Sequence, residues 1–160
     1  MTPTLVTLEE AASWLSKNMK RGADCPCCGQ MCRIYRRAFN ASMANSLIWL
    51  VSQNATTEWI DVPARAPGWL TKSREFPKSR YWGLIEEKPN KDPSKRCSGL
   101  WRPTKEGIDF VFSRSRIASH VYLFDNAVMG FEEKRTTSIQ EALGKKFDYS
   151  ELMAWSENSL

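Results

Sequence analysis

The sequence has few of the side chains that most often perform catalysis. Its only histidine is His120, and we find no paired acidic motif, no catalytic serine or cysteine triad and no glycine-rich phosphate-binding motif. Internal repeats and low-complexity tracts are also absent. Because little general acid or base chemistry is available, we expect that the protein is not an enzyme.

Long apolar segments are missing as well. The longest apolar run, Leu47–Val51, falls far short of the roughly 20 residues that a membrane-spanning helix needs. The N-terminal stretch MTPTLVTLEE carries acidic side chains where a secretory signal carries basic ones, and it has no apolar core before a cleavage site. We therefore expect a cytoplasmic protein with no membrane partner.

The sequence does contain a concentration of basic charge. The chain of 160 residues is 42% hydrophobic and 26% charged, an ordinary soluble composition that allows one sizeable core. Its net charge is +5, but Arg65–Arg116 alone holds 13 Lys or Arg against 6 Asp or Glu, and the remainder holds 10 against 12. A localised basic face attracts polyanions such as nucleic acid. The alternative is a solvated surface that only keeps the protein soluble.

The segment from Phe76 to Gly107 has the order helix, strand, polar loop, strand, helix. Pro77 suits the start of a helix, and Gly83 suits its end. The stretch from Glu86 to Arg96 is too polar and too punctuated by proline to be buried. This order is that of a recognition helix followed by a wing.

Two short phrases in this segment resemble winged helix-turn-helix DNA-binding proteins, including the multiple-antibiotic-resistance type. The recognition helix of that family leaves through a Gly-Leu-Ile turn, here Gly83-Leu84-Ile85, and its wing closes with Leu-Thr and a nearby glycine. The second phrase is matched here by Pro103–Gly107, although Pro103 departs from the usual apolar residue. The resemblance covers roughly Asn40 to Phe112. It implies a small protein that binds double-stranded DNA, as a regulator or a phage-type accessory factor.

On the predicted recognition helix, Arg80 is the best candidate for reading sequence, because arginine can pair bidentately with guanine. Lysine and serine are commoner partners of phosphate, and the basic residues of the wing could follow a minor groove or the backbone. We expect Trp82, Leu84 and Ile85 to turn inward and pack in the core. The predicted nucleic-acid contacts are Lys72, Arg74, Lys78, Ser79, Arg80, Lys88, Lys91, Lys95 and Arg96.

The N-terminal part contains a cysteine cluster, Asp24-Cys-Pro-Cys-Cys-Gly-Gln-Met-Cys32. Cys25-Pro-Cys-Cys28-Gly resembles the CPxCG zinc knuckle, in which a tight turn aims two thiolates at one metal ion. A structural zinc needs four ligands, and a second such pair is not visible. Vestigial cysteines that act as small hydrophobic residues, and redox-active thiols, are the alternatives.

The remaining ligand candidates are Cys27, Cys32, Cys97 and His120. Adjacent Cys27 and Cys28 cannot both serve one ion without strain. The predicted set is therefore Cys25, Cys28, Cys32 and Cys97, with Cys97 reaching across from the wing and about one zinc ion bound per chain.

The complete prediction is an α+β fold with three parts in one compact domain. Residues 1–39 form an N-terminal helix, capped by Thr7 and Glu10, and the cysteine-rich knuckle. Residues 40–115 form the winged-helix core, and residues 116–160 form a β-hairpin, turning at Asp125-Asn126, and short helices. The C-terminal part is available for a protein partner or for homodimer formation. A protein-interaction module or inhibitor built on the same scaffold, and a metal-dependent or redox enzyme, are the competing hypotheses.

Overall fold

The structure, a computed structural model, describes residues 7–53 and 58–157. It is a mixed α+β fold with several helices and small antiparallel sheets. The helices are α1 (Leu8–Asn18), α2 (Ala41–Gln53), α3 (Val62–Arg65), α4 (Gly68–Ser73), a 3-10 helix (Phe76–Trp82), α5 (Lys105–Val111), α6 (Ile139–Leu143), α7 (Tyr149–Leu152) and α8 (Ala154–Glu157). The strands are β1 (Ala23–Asp24), β2 (Met31–Cys32), β3 (Tyr35–Ala38), β4 (Ile60–Asp61), β5 (Ile85–Glu87), β6 (Leu100–Pro103), β7 (Ile117–Ala118), β8 (His120–Phe124), β9 (Ala127–Phe131) and β10 (Thr136–Thr137).

The chain divides into two compact units, which the sequence does not predict. The described part of the first unit is 7–38 together with His120–Glu132, and the second unit contains the described residues of Phe39–Ser119 and those from Glu133 onward. The predicted C-terminal part is thus shared, because its hairpin belongs to the first unit and its helices to the second. Residues 1–6, 54–57 and 158–160, which the predicted boundaries include, lie outside the described residues.

The first unit is built from α1, the hairpin β1–β2 and the sheet β3–β8–β9. Thr7 and Glu10 form the predicted capping box of α1. Strands β8 and β9 are joined by Asp125-Asn126, whose φ values of 49° and 60° are those of a tight hairpin turn. Strand β3 pairs with β8 in the register Tyr35 opposite Leu123.

The second unit has its core around α2. The Asn40 side chain caps this helix by accepting from the Met43 amide at 2.9 Å. The core face of α2 consists of apolar residues at helical spacing, all of them buried: Met43, Ala44, Leu47, Ile48, Leu50 and Val51. Phe39 packs edge-on against both Phe110 and Trp82, with ring centroids 5.4 Å and 5.3 Å away. This core holds the candidate site in place.

The second unit also contains a three-stranded antiparallel sheet in the order β4–β6–β5. Ile60 pairs with Trp101, and Ile85 pairs with Pro103. In chain order, the unit runs through α2, β4, α3, α4, the 3-10 helix, β5, a polar loop and β6 before α5. Of these three strands, β6 comes last in the sequence but lies in the middle of the sheet.

The C-terminal helices pack on the same core. Ser138 and Glu141 form a capping box at α6, and Gly144 ends that helix. Ile139 and Leu143 are buried, and the Tyr149 hydroxyl donates to the Val111 carbonyl at 2.6 Å. The last segment therefore adds core to the second unit.

Candidate nucleic-acid interface

The predicted recognition helix is a 3-10 helix of seven residues, Phe76–Trp82. Such helices are tighter than α-helices and rarely exceed about four residues, because their hydrogen bonds are less well aligned, so this one is unusually long. Gly83 ends this one with a left-handed φ of 74°, and its amide donates to the Arg80 carbonyl at 2.9 Å. Pro77 lies in the first turn of this helix and Gly83 follows its last residue, as the sequence predicts.

The two phrases that carry the family resemblance lie in contact with each other. The Thr104 amide donates to the Leu84 carbonyl at 3.0 Å, and the Thr104 hydroxyl donates to the Gly83 carbonyl at 2.6 Å. The same hydroxyl accepts from the Gly107 amide at 3.1 Å and so caps α5. Gly107 packs so closely that an added Cβ would lie 2.0 Å from the Leu84 carbonyl oxygen. The exit from the 3-10 helix and the start of α5 are therefore one interlocked structure.

The apolar residues that leave the 3-10 helix turn inward, as predicted. Leu84 and Ile85 are 1% and 3% exposed. Trp82 is half-buried against the core, and its indole nitrogen donates to the Ala118 carbonyl at 2.8 Å. These anchors fix the orientation of the 3-10 helix on the second unit.

The predicted contacts on the helices differ in their exposure. Arg80 is exposed and lies over the Tyr81 ring at 5.2 Å. The half-buried Lys78 pairs with Glu75 at 3.2 Å, which lowers its availability to a phosphate. Ser79 is 0% exposed, so its predicted contact with nucleic acid is wrong in this structure. The helix turns this side chain towards the core.

Two further predicted contacts come from the preceding helix. Lys72 is exposed on α4, and Arg74 is exposed immediately after it. Arg74 has a left-handed φ of 57°, and it ends α4 before the 3-10 helix begins. The connection between the two helices is therefore a sharp turn that presents basic side chains.

The loop between β5 and β6, residues 88–99, carries the other predicted contacts. Lys88, Lys91, Lys95 and Arg96 are all exposed. The Asn90 side chain donates to the Lys95 carbonyl at 2.6 Å, and the Ser98 hydroxyl donates to the Lys88 carbonyl at 2.6 Å. Hydrogen bonds from the side chain and amide of Ser94 lower the pKa of Asp92. Internal bonds thus shape the loop, and its cations point to solvent.

The predicted contacts differ from a basic residue of the neighbouring sheet in whether they pair with a carboxylate. Arg102 on β6 pairs with Glu86 on β5 and lies over the Trp59 ring at 4.2 Å. In contrast, six of the predicted contacts have no ion pair with any residue in the described part of the chain: Lys72, Arg74, Arg80, Lys88, Lys91 and Arg96. Positive charge in this segment is therefore largely uncompensated by neighbouring carboxylates.

The cysteine cluster lies in the hairpin β1–β2 of the first unit. The Cys25 amide donates to the Gln30 carbonyl at 2.8 Å, and the Gly29 amide donates to the Cys25 carbonyl at 2.8 Å. Gly29 has a left-handed φ of 76°, which explains the glycine of the motif. Hydrogen bonds from the amides of Cys28 and Cys27 to the Cys25 sulfur lower the pKa of the Cys25 thiol.

The predicted zinc ligands are divided between the two units of the chain. Cys25, Cys28 and Cys32 belong to the first unit, whereas Cys97 lies in the 88–99 loop of the second. Among residues 7–53 and 58–157, no group of three or more His, Cys, Asp or Glu side chains is arranged to hold a metal ion. Sequence spacing could not reveal the unit to which each cysteine belongs. Zinc binding itself stays a prediction.

One surface was missed by the sequence interpretation. Tyr35 on β3 is 52% exposed, with the guanidinium groups of Arg33 and Arg37 each 5.8 Å from its ring. Most of the large exposed apolar side chains lie in the same unit, namely Leu8, Met31, Val128, Met129 and Phe131. The two-residue spacing of Tyr35 and Arg37 could have shown that these two side chains share one face of β3.

Comparisons with known proteins give no assignment. Neither a protein-family model, nor a curated protein, nor a solved structure matches the chain significantly. Within the part of the chain that the structure describes, no helix has the length and apolar character needed to cross a bilayer.

Proposed function

We propose that the second unit is a winged helix-turn-helix module that binds double-stranded DNA. The observation that carries the proposal is the sheet order β4–β6–β5 combined with the order helix, strand, helices, strand, loop, strand along the chain. In this interpretation the 3-10 helix is the recognition element, and residues 88–99 are the wing. The contacts of Thr104 and Gly107 with the Gly83-Leu84 turn support it, because they give a structural reason for the two phrases of the resemblance.

The charges support a role in nucleic-acid binding. Arg80 and the wing cations Lys88, Lys91 and Arg96 are exposed and have no carboxylate partner among the described residues. Neutralising phosphates with such side chains releases counterions, which favours binding at low salt. Arg80 would contact a base edge, since it is exposed on the recognition element, and the wing would contact the backbone.

A fluorescence anisotropy titration of the full-length protein with a random-sequence duplex tests the proposal. Six phosphate contacts give a slope of roughly −5 for the logarithm of the binding constant against that of the salt concentration. A variant with alanine at Lys88, Lys91, Lys95 and Arg96 should reduce this slope by about 4. The matched control removes four exposed lysines elsewhere, Lys17, Lys20, Lys105 and Lys145, and should leave the slope nearly unchanged.

Selection from a pool of random duplexes tests the role of Arg80. Arg80→Ala should relax the preference at one base position by about 1–3 kcal/mol, whereas the wing variant should weaken all sequences alike. Equal binding of every duplex by wild type and by both variants would overturn the DNA-binding proposal.

The second candidate is a module that binds another protein. The observation that favours it is that several large apolar side chains of the first unit are exposed, including Met31, Tyr35 and Phe131, because exposed apolar area can mark a protein interface. A partner bound there should show only a weak salt dependence. Absence of salt-dependent DNA binding would therefore favour the protein-binding function.

A further inference from the structure

Tyr35 on β3 is an exposed aromatic side chain with a cation on each side of it in the sequence. It is 52% exposed, and the guanidinium groups of Arg33 and Arg37 each lie 5.8 Å from the ring centroid. At this distance a cation is still attracted to an aromatic ring. The Arg102 guanidinium, by comparison, lies only 4.2 Å from the Trp59 ring. Neither neighbour is therefore closely stacked on Tyr35, and about half of this side chain is open to another planar group.

The backbone around Tyr35 is anchored to the core of the first unit. Strand β3 is an edge strand of the sheet β3–β8–β9, and Tyr35 lies opposite Leu123, which is 8% exposed. Just before the strand, the Ile34 amide donates to the carbonyl of Met19 at 3.0 Å, and the Met19 side chain is also buried. The aromatic ring is thus presented at the edge of a sheet whose middle strand is held in the core.

The two flanking arginines are exposed and are not neutralised by neighbouring acids. Neither Arg33 nor Arg37 has an ion pair with a carboxylate in the described part of the chain. Arg36 differs from them, because it pairs with Glu132 at 3.2 Å. Successive residues of a strand point to opposite faces, so Arg36 projects from the other face of β3 than Tyr35 does. The face with the ring therefore suits a ligand that has both a planar ring and negative charge.

We propose that Tyr35, Arg33 and Arg37 bind single-stranded nucleic acid, with one base stacked on Tyr35 and the adjoining phosphates held by the two arginines. Stacking on aromatic side chains combined with cations along the backbone is how proteins bind single strands regardless of sequence. A duplex does not suit this site, because its bases are already stacked on one another. An acidic peptide would satisfy the arginines but would leave Tyr35 without a stacking partner. The site belongs to the first unit and does not depend on duplex binding by the second.

Fluorescence anisotropy with a labelled oligothymidylate of about 12 nucleotides tests the proposal, since this length is within the usual range for such sites. The parent protein is the full-length chain with alanine at Lys88, Lys91, Lys95 and Arg96, so that the wing contributes little. Tyr35→Leu should weaken its affinity by roughly 5- to 150-fold, the effect of losing one stacked base. Tyr35→Phe keeps the ring and should bind like the parent. The same titration with an oligouridylate identifies whether RNA or DNA is preferred.

The salt dependence separates the role of the charges from that of the ring. Each phosphate contact with a single strand contributes about 0.7 to the slope of the logarithm of affinity against that of salt concentration, so Arg33→Gln combined with Arg37→Gln should reduce the slope by about 1.4. Tyr35→Leu should leave the slope unchanged. The matched control is Arg36→Gln, which removes a cation of the same strand from the opposite face and should alter neither slope nor affinity.

Far-UV circular dichroism establishes that each variant is folded. The proposal would be overturned if folded Tyr35→Leu bound as tightly as the parent, or if the double arginine variant kept its slope. Equal affinity for polyglutamate would assign the site to acidic peptides instead, and a dimer that Tyr35→Leu dissociates, detected by light scattering, would assign it to a second copy of the chain. Duplex binding by the second unit is measured with Tyr35→Leu in the otherwise unchanged chain, where it should persist, so failure of either proposal is distinguishable from failure of the other.

Discussion

Gly107 provides a sharp test of the interlock between the 3-10 helix and α5. It lies in the first turn of α5, where an alanine would normally stabilise a helix by up to about 1 kcal/mol. Here, however, the added Cβ would lie 2.0 Å from the Leu84 carbonyl oxygen, whereas ordinary contact begins at 3.4 Å. Gly107→Ala therefore requires a displacement of about 1.4 Å between α5 and the backbone of Leu84.

The displacement lowers the free energy of unfolding. Overpacking of this kind typically destabilises by about 1–3 kcal/mol. Moving α5 also breaks or lengthens the 3.0 Å hydrogen bond from Thr104 to Leu84, which contributes about 1 kcal/mol. Phe110 and Val111 on the same helix are 0% exposed and would move with it. After the gain in helix propensity, we expect a net loss of about 1–3 kcal/mol.

Urea unfolding followed by circular dichroism measures this loss as a lower midpoint at an unchanged slope. The matched control is Gly68→Ala, since Gly68 is the first residue of α4 and an added Cβ there meets nothing within 4 Å. This variant should be neutral or slightly stabilised. A Gly107→Ala protein as stable as wild type would refute the reasoning, because the close backbone approach would then not constrain the fold.

Two further predictions concern stability. Trp82→Ala should lower the free energy of unfolding by up to about 3 kcal/mol, because it removes the contact with Phe39 and the hydrogen bond to Ala118. An unchanged midpoint of urea unfolding would show that this ring does not anchor the 3-10 helix. The hydrogen bond from Arg116 lowers the pKa of Glu141 below its ordinary 4.5, so the pair stabilises the fold above that pH and the contribution is lost as pH falls through the lowered pKa. Glu141→Gln should therefore melt earlier than wild type at pH 7 and converge with it in acid, and parallel melting curves at every pH would contradict this.

The parts of the fold that sequence predicts well depend on neighbouring residues. Thr7, Asn40 and Ser138 cap their helices through side chains that reach only three residues along the chain. Asp125-Asn126 forms its turn because both residues tolerate a positive φ. Such interactions involve residues only a few positions apart, so a single sequence contains the information needed to predict helix ends and turns.

The parts that could not be predicted depend on distant residues. Strand β3 pairs with β8, and this pairing requires knowledge of which distant segment lies beside it. Ser79 on the 3-10 helix is buried, because which side of a short helix meets the core depends on the distant residues that pack against it. The assignment of Cys97 to the second unit and of the other cysteines to the first has the same origin, since unit membership is a long-range property.

The pairing of β3 with β8 also constrains the order in which the protein can fold. The first unit consists of two chain segments, of which the first ends at Ala38 and the second begins at His120. All of Phe39–Ser119 therefore forms a loop between the paired strands β3 and β8. Closing an unstructured loop of roughly 80 residues costs about 4 kcal/mol in chain entropy before any strand contact is gained. In the folded second unit the Phe39 amide donates to the Ser119 carbonyl at 2.9 Å, which already holds the two ends of this loop together. Once that unit has formed, β3 and β8 start close together, as the strands of a short hairpin do. Their pairing then no longer requires a long loop to close, so it should be as fast as that of strands that are neighbours in sequence.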